Sequence, residues 1–257
     1  MKNQLKPLLL QGIKIKTLFL FLLLTSSISN AADAIEKKKI LFDVSHKIQF
    51  YVQMEDTANA KPWQIKRNQY ILNQMTQNAN ALNAEVVIHR EKIKADYLKD
   101  CDLLYLRAPK SQFSTDEISA IHNYLNNGGS LFMVMDVDYW VTLEETNVND
   151  ILAPYDIRYE GTSPDTLSGG YSIVSAITEK SWKIPFHGGR LVKGGTPFCY
   201  NIQSKENPHG VYKELKGGGK IIVLGDGMVT LYMNQWKDVK DYQCSGFMEE
   251  VFAWLLN

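Results

Sequence analysis

Acids, an imidazole and a guanidinium stand where short apolar runs give out. Asp43, Ser45 and His46 follow Ile40–Phe42, Arg107 follows Leu103–Leu106, Asp136 and Asp138 follow Ser130–Met135, and Asp226 follows Lys220–Leu224. An acid, a hydroxyl and an imidazole so placed have the chemistry for acid–base work or for orienting a ligand. Their structural use is as simple: Asp43 and Ser45 cap the loop, and His46 packs at its rim. Ser45 and His46 are sequence neighbours, whose side chains diverge in an extended chain, so no Ser–His pair is expected from them unaided.

The guanidinium of Arg107 suits a carboxylate, such as a uronic acid, or a nearby Asp. Asp136 and Asp138 alternate on a strand-like segment, and with Asp43 or Asp226 they could gather oxygens for Ca²⁺ or Mg²⁺. The plainer reading is strand-end acids bonding loop amides, and neither metal nor cofactor is expected. Tyr139 and Trp140 offer flat faces for a sugar ring, or belong to the core. Asp226, between Gly225 and Gly227, either meets a ligand or shapes the turn before Thr230. His187-Gly188-Gly189-Arg190 reads as a turn, the alternative being a loop that closes over the site. His89, His122 and His209 read as structural or surface residues. No GxSxG, P-loop or GxGxxG motif follows the first strand. Cys101, Cys199 and Cys244 show no zinc spacing. Any disulfide is expected between Cys199 and Cys244, leaving at least one free thiol.

The elements that must place these groups are clearest between Asp100 and Asp138. Cys101–Leu106 is an apolar run of the kind buried on both faces of a sheet. Ser114 with Glu117 is a capping box that opens a helix. Gly128-Gly129 ends that helix, since glycine enters the left-handed conformation easily. Ser130–Met135 is a second buried strand. Two parallel strands joined by a helix form a right-handed βαβ unit, so the class is α/β. Ligands of such sheets sit beyond the carboxyl ends of the strands, where the candidate residues stand.

In chain order, Ile40–Val44 reads as the first strand and Ile48–Ala60 as a loop holding Phe50-Tyr51. A helix starts at Pro62-Trp63 and runs to about Asn83. Ala84–His89 is a strand, Ala95–Lys99 a helical turn, and Thr142–Leu152 a helix ending before Pro154. Residues 161–207 are rich in Gly, Ser, Thr and Pro between short apolar runs, which predicts a β-rich insertion. Gly210–Leu224, turning at Lys216–Gly219, reads as a hairpin. Cys244–Leu256 closes the chain as an amphipathic helix.

Of 257 residues, 45% are hydrophobic and 22% charged, which suits one globular domain. Lys2, Lys6, Lys14 and Lys16 precede the apolar run Thr17–Ile28 and small residues near Ala31, the pattern of a signal peptide over residues 1–32. Its removal takes four lysines and no acid from a balance of 28 basic and 28 acidic side chains, leaving a weakly acidic remainder. That gives no electrostatic case for nucleic acid or an anionic membrane.

Asp43-Val44-Ser45-His46, the unit Leu103–Asp136 with Gly128-Gly129, and Gly218-Gly219-Lys220 through Gly225-Asp226 together resemble the class I glutamine-amidotransferase-like superfamily. More narrowly, they resemble the exported flavodoxin-like domains that accompany bacterial polysaccharide-degrading enzymes, and the related intraflagellar-transport-type domain. The resemblance implies a three-layer, flavodoxin-like, mostly parallel sheet across residues 33–257, with a β-rich extension. The signal-peptide pattern implies a periplasmic or secreted protein, and the resemblance implies that its partner is a carbohydrate or a polysaccharide-degrading enzyme. Where the superfamily's nucleophilic Cys belongs, this chain has Asp136-Val137-Asp138-Tyr139-Trp140, so its covalent chemistry is not carried over. The expectation is therefore a binding domain using Asp43, Ser45, His46, Arg107, Asp136, Asp138, Tyr139, Trp140 and Asp226. The alternative is a hydrolase or lyase acting through Asp and His groups without a covalent nucleophile.

Overall fold

The apolar runs become the middle of a nine-stranded sheet. A computed structural model of the chain describes residues 36–48, 58, 60–163, 169–203, 206–236 and 238–257. The signal-peptide segment, Phe50-Tyr51 and most of the 48–60 loop lie outside the described residues.

The first half alternates strand and helix: β1 (Lys38–Asp43), α1 (Pro62–Ala81), β2 (Ala84–His89), α2 (Ala95–Lys99), β3 (Leu103–Arg107), α3 (Thr115–Asn126) and β4 (Ser130–Val134). Next come α4 (Val148–Leu152), a 3-10 turn (Ala153–Tyr155), β5 (Arg158–Thr162), β6 (Gly170–Ser172), β7 (Lys183–Ile184), β8 (Arg190–Lys193) and β9 (Thr196–Asn201). The chain ends with β10 (Pro208–Glu214), β11 (Lys220–Leu224), a 3-10 turn (Val229–Leu231), β12 (Gln235–Trp236), β13 (Val239–Lys240) and α5 (Cys244–Leu256).

The main sheet has the order β2-β1-β3-β4-β11-β10-β9-β6-β7. From β2 to β11 the neighbours are parallel. From β11 to β7 they are antiparallel. A mostly parallel sheet was the expectation. It is parallel in one half only, because after β4 the chain returns through hairpins instead of helical crossovers. β5 and β8 pair separately, as do β12 and β13.

Successive residues of each parallel strand enter opposite cores, as the period of two requires. Leu103, Tyr105, Phe132, Val134, Ile222 and Leu224 pack with α1 and α5. Leu104, Leu106, Leu131, Met133, Ile221 and Val223 pack with α2, α3 and α4. Strands buried on both faces explain the unbroken apolar runs, and they fix where each strand delivers its last residue.

The capping box is present at α3: Ser114 N–H donates to Glu117 Oε2 at 2.9 Å, and Glu117 N–H to Ser114 Oγ at 3.4 Å. The helix predicted over Thr142–Leu152 is shorter. Only Val148–Leu152 is α-helical, and Pro154 lies inside the 3-10 turn that continues it. Before it, Asn147 turns its amide to the loop after β3, accepting from Phe113 N–H at 2.8 Å and donating to Phe113 O at 3.0 Å. All three cysteines are free thiols, so the Cys199–Cys244 bridge is not formed. Among the described residues no helix is long and apolar enough to cross a membrane.

Candidate functional site

Asp43 and Arg107 end β1 and β3, while Asp136 and Asp226 stand two residues beyond β4 and β11. The order of the sheet sets them along one edge, as the strand pattern predicts. They form two groups.

In the first group, Asp43 lies at the end of β1, fully buried. One of its oxygens accepts Ser45 N–H at 3.1 Å and Ser45 Oγ–H at 2.6 Å. The other meets His46 Nδ1 at 2.7 Å. Ser45 Oγ and His46 Nδ1 are themselves 3.0 Å apart, so the expected divergence of these neighbours is corrected. Alternation belongs to extended chain, and past Asp43 the backbone instead folds into a turn that the Asp side chain closes at its own second neighbour.

The far nitrogen of the ring, His46 Nε2, faces Glu117 Oε1 at 3.4 Å, and Phe113 stacks on the ring at 3.8 Å. Glu117 also accepts Ile93 N–H at 3.0 Å and Ser114 Oγ–H at 2.7 Å. Burial opposes its ionisation, but these hydrogen bonds and His46 outweigh burial and hold its carboxyl below the usual range. The sequence marked Glu117 only as a helix cap. Its partnership with His46 crosses from α3 to the β1 turn, and no local pattern records it.

The second group gathers at the ends of β3, β4 and β11. Arg107 Nε donates to Thr230 Oγ1 at 2.8 Å, and Thr230 in turn donates to Gly227 O at 2.7 Å. Asp226 accepts His187 N–H and Met228 N–H, each at 2.7 Å. Asp136 accepts Val137 N–H at 2.8 Å. Burial raises the carboxyls of both Asp136 and Asp226, and the negative charge of Asp136 adds to the rise at Asp226. Arg107 and Arg190 pull Asp136 the other way. His187 is held by its backbone to Asp226 and by Nε2 to the Tyr242 hydroxyl at 2.9 Å, so 187–189 is a pinned turn. Asp138 pairs with Arg190, whose Nη2 also donates to Val141 O at 2.7 Å.

None of Asp43, His46, Arg107, Asp136 and Asp226 is more than 6% exposed. Their polar groups are turned into the protein, and Arg107 meets Thr230 there. Among the described residues, no group of three or more His, Cys, Asp or Glu side chains is arranged to hold a metal ion. A pocket of about 510 Å³ lies at the opposite edge of the sheet, lined by Lys38, Cys101, Tyr124, Gly129, Lys220 and Leu256 among others. None of the nine candidate residues lines it.

The exposed members of the set are Asp138, Tyr139 and Trp140. Tyr139 is 81% exposed and Trp140 38%, and their rings meet edge-on at 4.6 Å. They are a surface pair and not core. Arg190, Thr230, His187 and Tyr242 complete the network, and the sequence singled out only the 187–190 run among them.

The IFT52 GIFT domain family model matches residues 62–164, from α1 through β5. No curated protein shows a significant sequence match to the chain. Among solved structures, the N-terminal domain of mmIFT52 is similar with a TM-score of 0.59 at 18% identity, over 85% of this chain and 97% of that one. A cytoplasmic protein from Salmonella typhimurium gives 0.51 at 10% identity, over 85% and 97%. Alpha-L-fucosidase isoenzyme 2 from Paenibacillus thiaminolyticus gives 0.51 at 13% identity, over 88% of this chain and 33% of that one. At these identities the likeness is one of fold. The match to an intraflagellar-transport domain overturns the resemblance to amidotransferase-like exported domains. The periplasmic or secreted location expected from the signal-peptide pattern, the carbohydrate ligand and the hydrolase or lyase alternative are overturned by the same match.

Proposed function

We propose that this chain is a protein-assembly domain of the IFT52 GIFT kind, a component of an intraflagellar-transport-type complex whose partners are other proteins. One observation carries the reading. At the sheet edge where an α/β enzyme keeps its reacting groups, each buried titratable candidate is engaged by protein, and Tyr139 stands out in solvent with the partly covered Trp140 beside it. Asp43, Ser45, His46, Arg107, Asp136 and Asp226 then serve to fix the loops, and Asp138, Tyr139 and Trp140 make contact. The family match over α1 to β5 supports the same reading.

In this proposal the β2-β1-β3-β4-β11 half is a three-layer, flavodoxin-like frame, supported by its strand order and by helices on both faces. Residues 33–257 act as one domain, with the β-rich 161–207 stretch as its insertion. The compactness of Lys37–Asn257 as a unit supports this.

The test is purification of the tagged chain from its own cells at native expression, followed by size exclusion and quantitative mass spectrometry. A stoichiometric protein complex is expected to persist through the column. A chain that elutes alone from fresh extract, across buffers and salt, overturns the reading.

A further inference from the structure

β2 ends the main sheet on the side away from the hairpins, and its one neighbour there is β1. Lys38 N–H donates to Asn83 O at 3.1 Å and Val44 N–H to His89 O at 2.9 Å, bracketing the register that pairs Lys38 with Ala84 and Asp43 with His89. In a parallel pair, alternate residues turn both backbone groups toward the neighbour. Glu85 and Val87 therefore face β1, and Ala84, Val86 and Ile88 turn their N–H and C=O outward. Among the described residues no strand or loop bonds those groups.

The edge lacks the usual protections. Sheet edges are guarded by proline, by lysine, by a bulge or by being short. β2 is six residues, Ala84-Glu85-Val86-Val87-Ile88-His89, paired to β1 without a register shift. The far edge of the sheet, β7, has two residues. Val87 is 37% exposed, and Val86 and Ile88 are partly buried against the core that Met75 and Ala79 of α1 share. The flank is also nearly uncharged. From Asn68 in α1 to Ile88 the chain carries one charged side chain, Glu85, in a protein that is 22% charged.

We infer that β2 is a self-pairing edge, to which a second copy of this chain adds its own β2, antiparallel, about a two-fold axis beside Val86. That register sets Val86 against its own copy and Ala84 against the second copy's Ile88. Every outward N–H and C=O of these residues then finds a partner, as in the hydrogen-bonded pairs of an antiparallel ladder. On the other face Val87 lies opposite the second copy's Glu85, so no like charges meet. A two-fold contact sets a surface against itself, so its charges are met by charges of the same sign. A nearly uncharged flank escapes that repulsion, which favours a second copy over a charged partner segment. The pairing goes beyond the assembly reading and does not depend on it.

The experiment is sedimentation velocity of the purified full chain from about 1 μM to about 100 μM, the span over which a weak dimer fills. Wild type is expected to pass from monomer toward dimer. Val87→Glu should weaken the dimer about tenfold, because it sets like charges opposite each other twice by symmetry, and Val87→Lys, set against Glu85, should hold or tighten it. Hydrogen exchange of wild type needs no variant. The amides of Val86 and Ile88 should slow as concentration rises, and those of Glu85 and Val87, already bonded to β1, should not change. A wild type that stays monomeric throughout overturns the inference, as does a dimer that both variants weaken alike. A dimer whose Val86 and Ile88 amides still exchange fast overturns it too, and puts the contact elsewhere. If melting shows that Val87→Glu is unfolded, the exchange measurement carries the test. A monomeric chain whose Val86 and Ile88 amides are protected only within the native complex assigns the edge to a strand of a different protein, which overturns the second copy and leaves the assembly reading intact. Absence of any native complex removes the assembly reading and leaves the dimer standing.

Discussion

Asp43 satisfies three donors with two oxygens, all within three residues of itself. Removing that carboxylate leaves His46 and Ser45 with buried polar groups that have lost their acceptor. Leaving a buried polar group without its partner costs about 1–3 kcal/mol, so Asp43→Ala should lower the urea midpoint by that equivalent. If the substitution leaves stability within about 0.5 kcal/mol, the scale of an ordinary surface change, the carboxylate is not holding the turn. The strand-end positions of Asp43, Arg107, Asp136 and Asp226 were legible because buried strands write themselves as apolar runs that stop abruptly. The contacts of those residues were not. Arg107 reaches Thr230 across 123 residues, and Asp226 reaches His187 across 39. Which loop covers which strand end is a property of the folded sheet and leaves no local trace.

At the scale of elements, the parallel half was readable through periodicity and caps, and the antiparallel half much less so. β7, β12 and β13 are two residues each, too short for alternation to register. The predicted Thr142–Leu152 helix failed because Asn147 spends its amide on Phe113 while Thr142 and Glu145 close their own turn. Such side-chain bonds offer the backbone an alternative to the helix. Where elements meet, glycine is needed for two different reasons. At Gly225 a Cβ would run into the carbonyl of Arg190, so β8 approaches β11 only because no side chain is there. Gly218 has open space around it but a φ of +87° in the β10–β11 turn. Gly218→Ala should cost about 1–2 kcal/mol, the strain of a left-handed backbone. Gly225→Ala should cost about 1–3 kcal/mol or more, the range for overpacking, because the atom it meets is main chain and has nowhere to move. Hydrogen exchange separates the two. Gly225→Ala should also deprotect the amide of Arg190, which donates to Gly225 O at 2.7 Å, and Gly218→Ala should leave it protected.

For the molecule as a whole, the dependence of stability on pH reports buried groups of opposite sign. His209 is buried against Phe186 with ring centroids 3.8 Å apart, and neither ring nitrogen makes a hydrogen bond of normal geometry among the described residues. Burial pushes its pKa down to about 3, with weak opposition from the backbone of Tyr200 and of His209 itself. Below its unfolded pKa of about 6.5 the unfolded chain takes up a proton that the folded chain refuses, so stability falls as pH drops. Asp136 and Asp226 act the other way. Their folded pKa values are raised, so the folded chain holds protons that the unfolded chain has already released above about pH 4, and their contribution falls as pH rises. In wild type the two trends offset each other between pH 4 and 6.5 or so. His209→Leu keeps an apolar side chain of similar bulk and deletes one trend. Relative to wild type it should gain about 2 kcal/mol more at pH 5 than at pH 8, since each unit of separation is worth about 1.4 kcal/mol. The variant's own profile should then descend as pH rises through the acid range, exposing the carboxyl pair. Urea titrations of both proteins across that range decide the matter. Parallel curves would mean that His209 is protonated in the folded chain, and the buried, neutral imidazole would have to be abandoned.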